Sequence, residues 1–273
     1  MNKWIFSSLL WLVSSAHAHE FWMAPDRFSP AVNAPVTLSL RVGEGFLGEP
    51  VGFDRPMAVS LHWHRLRGQQ NLTAQLPASP GPSVQIAFDQ TGTQLIALDT
   101  QPVTTELAAD EFTAYLREDG LEHVIAQRQA SGQGAAPGRE RYRRHVKTLL
   151  NVGGQSDAVF GVRTGQTLEI VPLLDPQGLR AGDAMPVEVL FKGAPLPGAL
   201  VRVWNRRAER FDVSTERTDA AGRARMPLPW GGVWMVSVVH MVPNPDGQGQ
   251  DWDSHWGNLT FELPAAPAQR RPL

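Results

Sequence analysis

The sequence has 273 residues, no cysteine and a formal net charge of −2. The missing cysteines exclude disulfides, thiolate metal sites and thiol nucleophiles, and the near-neutral balance argues against nucleic acid as a partner. Abundant Gly and Pro (25 and 22) point to short strands joined by turns.

At the N-terminus Lys3 supplies a positive charge, Ile5 to Val13 an apolar run, and Ala16-His17-Ala18 a small-x-small cleavage motif. The run is shorter than the ~20 apolar residues a spanning helix needs, and no later segment is long enough. Residues 1–18 are therefore expected to form a signal peptide on an exported protein that does not itself span a membrane. Export without disulfides fits a periplasm. The remaining chain, roughly 255 residues, is enough for two ordinary domains.

Cleavage after Ala18 leaves His19 first, and the alanine pair at 16 and 18 makes this the preferred cut. The free amine and imidazole of such a residue chelate a late first-row metal such as Ni or Cu. Cleavage after Ala16 instead gives His17-Ala18-His19, whose third-position imidazole suits a square-planar Cu(II) or Ni(II) site.

Next comes strand alternation. Val36, Leu38, Leu40 and Val42 share one face, and Met57, Val59, Leu61 and Trp63 share another, opposite Ala58, Ser60, His62 and His64. Further strands are expected at Val84 to Phe88 and Leu95 to Leu98. The segment Glu106 to Asp119 has the composition of a helix with Leu107, Phe112, Tyr115 and Leu116 on one face and Gly120 as its cap. The run Arg139 to Lys147 reads as a solvated strand or helix face, or as an anion or partner contact, and 151–154 as a linker. Strands then follow near Leu168 to Pro172, Val187 to Phe191, Leu200 to Trp204, Gly222 to Leu228, Val233 to Val242 and Leu259 to Leu263. The expected class is all-β. Two β-sandwich domains span 19–155 and 165–265, with a helical insertion near 105–130 and a tail at 266–273.

Several segments resemble a known family: His19-Glu20-Phe21-Trp22 with Pro25, Glu111-Phe112, Tyr115-Leu116, Gly120-Leu121, Tyr142 with Lys147, and Leu168 to Leu173. Others are Ala181-Gly182-Asp183, Pro197-Gly198-Ala199, Thr218 to Arg223, Trp234 to His240 and Leu259-Thr260-Phe261. They are similar to the exported "domain of unknown function 4198" (DUF4198) family, often labelled nickel uptake transporter family proteins. The resemblance implies a periplasmic metal-handling protein, a membrane transporter component as partner, and an immunoglobulin-like or prealbumin-like second domain. It supplies no catalytic motif.

The candidate ligand set for the divalent metal is His19, His240 and His255. His240 ends a strand before Pro243, and His255 precedes the last strand. Weaker candidates are His62 and His64, at i and i+2 on one strand face, and Asp251 and Asp253, which alternate with His255 in an extended loop. His123 and His145 carry no assigned role, and Glu20 and Glu111 are candidates for orienting an imidazole. The favoured function is metal binding or delivery without catalysis. The alternatives are a copper monooxygenase with a histidine brace and a non-catalytic interaction module. Hydrolase signatures such as Gly-x-Ser-x-Gly and His-Glu-x-x-His are absent from the sequence.

Overall fold

The structure, a computed structural model, describes residues 20–44, 46–207, 210–246 and 249–263. The first half holds β1 (Glu20–Pro25), β2 (Pro35–Glu44), β3 (Leu47–Val51), β4 (Ala58–Arg65), β5 (Gly68–Asn71), β6 (Val84–Ala87), β7 (Gly92–Thr100) and β8 (Val103–Leu107). Helices α1 (Ala109–Glu118) and α2 (Glu122–Ala130) lead into β9 (Gly138–Val152). The second half adds β10 (Leu168–Pro172), β11 (Ala184–Phe191), β12 (Ala194–Pro195), β13 (Leu200–Arg207) and β14 (Arg210–Arg217). It ends with β15 (Arg223–Pro227), β16 (Gly232–Pro243) and β17 (Trp252–Leu263).

Among the described residues the chain is mostly β, with two short helices and three open sheets. A small sheet has β1 on one side of β2 and β3 and β6 end to end on the other. A second small sheet groups β10, β12 and β15 around β11. The third sheet runs β14-β13-β16-β17-β9-β7-β4-β5, with β8 pairing the start of β9. It draws strands from both halves of the chain. Their junction is the parallel pair β17 and β9, which sets His255 beside Arg143 and Gly257 beside His145.

Alternation along β2 buries Val36, Leu38 and Leu40. They pack with Leu61, Trp63, Ile96, Leu98, Val146 and Leu150 of the long sheet to form one core. On the opposite face, Leu168, Ile170, Val187 and Val189 of the second small sheet close over Val201, Val236, Val238, Leu259 and Phe261. Each such side chain contributes roughly 1.5–3 kcal/mol on burial. Helix α1 starts at Ala109, because residues 103–107 are taken by β8, and it buries Phe112, Tyr115 and Leu116 at helical spacing. Gly120 follows at φ +68°, where a Cβ would stand 2.6 Å from the Leu200 Cβ.

Three local expectations change. The basic run takes the strand alternative, as part of β9, but pairing on both sides leaves it mostly out of solvent, and its alternate arginines find carboxylates. Val59 is 55% exposed, because a register shift between Ala58 and Ser60 breaks the alternation of β4. Asp253 and His255 lie on β17 and not in a loop.

Candidate functional site

The long sheet carries titratable groups on both faces, and strand alternation decides which side each takes. On the face under the second small sheet, Asp99 of β7 is opposite His145 of β9, and His255 of β17 is opposite His240 of β16. Gly257 makes room for this cover, since a Cβ there would lie 3.2 Å from Leu168.

These side chains form a connected row. His145 Nδ1 lies 2.6 Å from Asp99 Oδ1, and its Nε2 lies 3.0 Å from His255 Nδ1. Gln166 Nε2 donates to the same Asp99 oxygen at 3.1 Å, and Ser60 Oγ donates to the other at 3.3 Å. A carboxylate only accepts, so the Asp99 partner atom, His145 Nδ1, carries a proton. One proton bridges His145 Nε2 and His255 Nδ1, so the two rings and the Asp99 carboxylate form one hydrogen-bonded chain.

Burial favours the neutral imidazole. It pulls His255 down to about 3, helped by the charges of His145 and Arg143. Burial likewise pulls His240 down to about 4, with His123 and Lys192 adding to it. The Phe191 ring stands edge-on to both, with centroids 4.5 Å from His240 and 5.2 Å from His255. Among the described residues the His240 ring makes no hydrogen bond. It opens with His123 into a cavity of about 330 Å³, beyond Val201 where the pairing of β13 with β16 ends. His123 stacks on His240 at 5.8 Å, and its Nε2 donates to the Met241 carbonyl at 3.0 Å.

The other histidine candidates lie apart from this cavity. His62 and His64 share this face on β4 with ring centroids 6.1 Å apart. His64 is buried, with its Nε2 unpartnered. Burial, His62 and Lys147 hold its pKa below the ordinary value.

Asp251 is held by Arg139 at 2.9 and 3.1 Å, and Asp253 by Arg141 at 2.7 and 2.9 Å and Arg143 at 3.2 Å. Burial raises the Asp253 pKa, but hydrogen bonds from Arg141 and the Arg143 charge outweigh it and leave the carboxyl lowered. Both carboxylates are already engaged by guanidinium groups. Among the described residues, no group of three or more His, Asp or Glu is placed to hold a metal ion.

His19 lies outside the described residues. Its chain neighbour Glu20 packs on the opposite face of the long sheet, where its Oε1 accepts from Ser237 Oγ at 2.7 Å. Arg202 lies 3.9 Å from Glu20 and 2.6 Å from Asp119, and donates to the Glu118 carbonyl. Glu140 accepts from Ser254 at 2.9 Å and from Tyr115 at 3.2 Å. Burial raises the pKa of Glu20 and Glu140, and that of Asp119 far more. Asp119 Oδ2, the Asn258 amide and Trp256 Nε1 on this face are buried without partners. Glu111 is exposed on α1.

Sequence reasoning missed Asp99, His145, His123 and the Arg202 network. The available signals were weak: a histidine inside an alternating run, and a lone arginine between inward-facing valines.

The chain matches the family described as domain of unknown function (DUF4198) over residues 16–242. No curated protein sequence matches it. Among solved structures it is similar to a tetra-tandem repeat in the extending region of a large adhesion protein, at 12% identity and TM-score 0.24, covering 91% of this chain and 50% of that one. It is also similar to dimeric latent PorU from Porphyromonas gingivalis, at 12% identity and TM-score 0.20, covering 92% and 21%. A third is trypsin-activated alpha-2-macroglobulin from Escherichia coli, at 11% identity and TM-score 0.21, covering 90% and 16%. The chain thus spans half or less of each of these. Among the described residues no helix is long and apolar enough to cross a membrane.

Proposed function

The chain belongs to the DUF4198 family, and from that premise we propose that it is an exported metal-binding or metal-delivery protein for nickel or copper. The observation that carries this reading is the imidazole pair His240 and His255. They stand opposite each other, burial keeps both neutral at pH 7, and the Asp99–His145 chain orients the His255 ring through its Nδ1. Neutral imidazole is the ligating form for these metals. A carboxylate or second ring behind the ligating ring is the usual orienting device. His123, stacked on His240 with its Nε2 on the Met241 carbonyl, offers its Nδ1 as a third nitrogen.

In this reading the amine and imidazole of His19 form a separate centre, because Glu20 anchors the start of β1 on the other face of the sheet. The protein acts in the periplasm and hands its metal to a membrane transporter component. The two cores are two β-sandwich units that share the long sheet, over 19–155 and 165–265, the second immunoglobulin-like or prealbumin-like.

The test is calorimetric titration of Ni(II) and Cu(II) into protein purified from the periplasm, after intact mass has fixed its first residue. We expect His240→Ala with His255→Ala to lower affinity for one class of site at least ten-fold, and His19→Ala to lower another. Unchanged isotherms for both variants would sink the proposal.

A further inference from the structure

The long sheet ends in two edge strands, and they are built differently. At one end β5 is Gly-Gln-Gln-Asn, with no apolar side chain, and it opens on Gly68 at φ +111°. Short, polar edges of this kind discourage further pairing. At the other end β14 keeps register with β13 from Arg210 to Arg217, without a bulge, proline or lysine. Its outer edge carries no strand among the described residues. Phe211 and Val213 stand 46% and 51% exposed on one face of β14. Beside them on that face an open groove of about 830 Å³ has Phe46, Leu47 and Arg206 in its walls.

The charges of β14 fall into two kinds. Asp212 is paired with Arg207 at 2.6 Å, and Arg217 with Glu122 at 2.7 Å. The side chains of Arg210 and Glu216 have no hydrogen bond or ion pair among the described residues. A long edge with exposed apolar side chains is a template for another strand, and β14 complements itself. A two-fold axis normal to the sheet runs two copies antiparallel and keeps their faces matched. Centred on Val213, it sets Arg210 opposite Glu216, Phe211 opposite Thr215, Asp212 opposite Ser214 and Val213 opposite its own copy. Like charges directly opposite each other destabilise a strand pair. Centring on Asp212 would set that carboxylate against itself, and centring on Ser214 would set Asp212 against Glu216. The Val213 register avoids both clashes, gives each unpaired charge a partner, and brings Phe211 and Val213 of the two copies together diagonally.

We propose that β14 pairs with β14 of a second copy of this chain, antiparallel about Val213, so that the long sheet continues across a two-fold dimer. A strand pair over Arg210–Glu216 lies at the lower end of the roughly 1,200–2,000 Å² of specific interfaces, so the dimer is weak and concentration-dependent. The strand left at each outer end is β5, whose blunted edge stops growth beyond two copies. The association is independent of bound metal.

The experiment is sedimentation equilibrium of the full processed chain between about 1 μM and 1 mM, the span of weak complexes. Low ionic strength preserves the charge pairs, and a chelator prevents metal from bridging copies. The expected result is a monomer–dimer equilibrium in the wild type. Val213→Lys sets two cations face to face at the axis and should weaken the dimer at least ten-fold. Arg210→Glu sets carboxylates opposite each other and should weaken it about ten-fold, and adding Glu216→Arg should restore it. That rescue separates pairing across the axis from misfolding, since all three positions are solvent-facing and circular dichroism checks each fold. A wild type that stays monomeric, a Val213→Lys variant that dimerises as the wild type does, or a double variant no better than Arg210→Glu would each overturn the proposal.

Discussion

The two faces of the long sheet take titratable groups out of water and treat them oppositely. On one face the pKa values of His240 and His255 fall to about 4 and about 3; on the other those of Glu20, Asp119 and Glu140 rise. The largest cause is the same in every case, loss of water. Desolvation favours whichever form is uncharged. For an imidazole that form exposes a lone pair to a metal. For a carboxyl group it weakens the hold on a cation, and here Arg202, Ser237, Ser254 and Tyr115 already occupy the oxygens. One physical effect thus makes a candidate ligand site of one face and a structural network of the other.

The largest expected effect is on the carboxyl face. Arg202→Met removes the cation between Glu20 and Asp119 and should cost about 3–5 kcal/mol, read from the urea midpoint. Asp119→Asn leaves Arg202 with Glu20 and the Glu118 carbonyl and should cost less, about 1–3 kcal/mol. An equal loss would mean that Asp119 alone holds Arg202 in place, and that ordering would break.

Next in size is the relay. His145→Phe keeps a ring in place but removes the partner of His255 Nδ1, so Ni(II) or Cu(II) affinity should fall about 10–100-fold. An unchanged calorimetric constant would show that His255 is not oriented in this way.

The smallest effect is in the pH dependence. A histidine lowered in the folded state leaves the unfolded chain holding more protons. Its stability contribution is therefore full above pH 6.5 and is lost as pH falls toward about 3 for His255. The slope is about 1.4 kcal/mol per pH unit for such a group. The raised carboxyls act in the opposite sense: the folded state holds more protons, so their contribution fades as pH rises through the raised values. Urea titrations between pH 7 and 5 should show a shallower loss on acidification in His255→Phe than in the wild type. Parallel curves would contradict the low His255 value.

Much of the fold can be read locally. Val36, Leu38 and Leu40 alternate and are buried, and Phe112, Tyr115 and Leu116 recur at helical spacing and are buried. His62 and His64 share a face, as their two-residue spacing requires. The burial of His64 could not be read in this way, because it depends on what covers β4.

Of the site, the sequence by itself pointed to His240 and His255 as an imidazole pair, through their strand contexts. It gave His145 no role and did not single out Asp99; His145 reaches His255 only because β9 and β17, over 100 residues apart in the chain, pair in parallel. Local periodicity fixes which side of its own strand a residue takes, a property of the backbone alone. Which strand lies next to it, and how much water remains there, follow from packing between distant segments. Tertiary structure therefore decided that the imidazoles are neutral, that the arginines of β9 are spoken for, and that Glu20 lies across the sheet from His240.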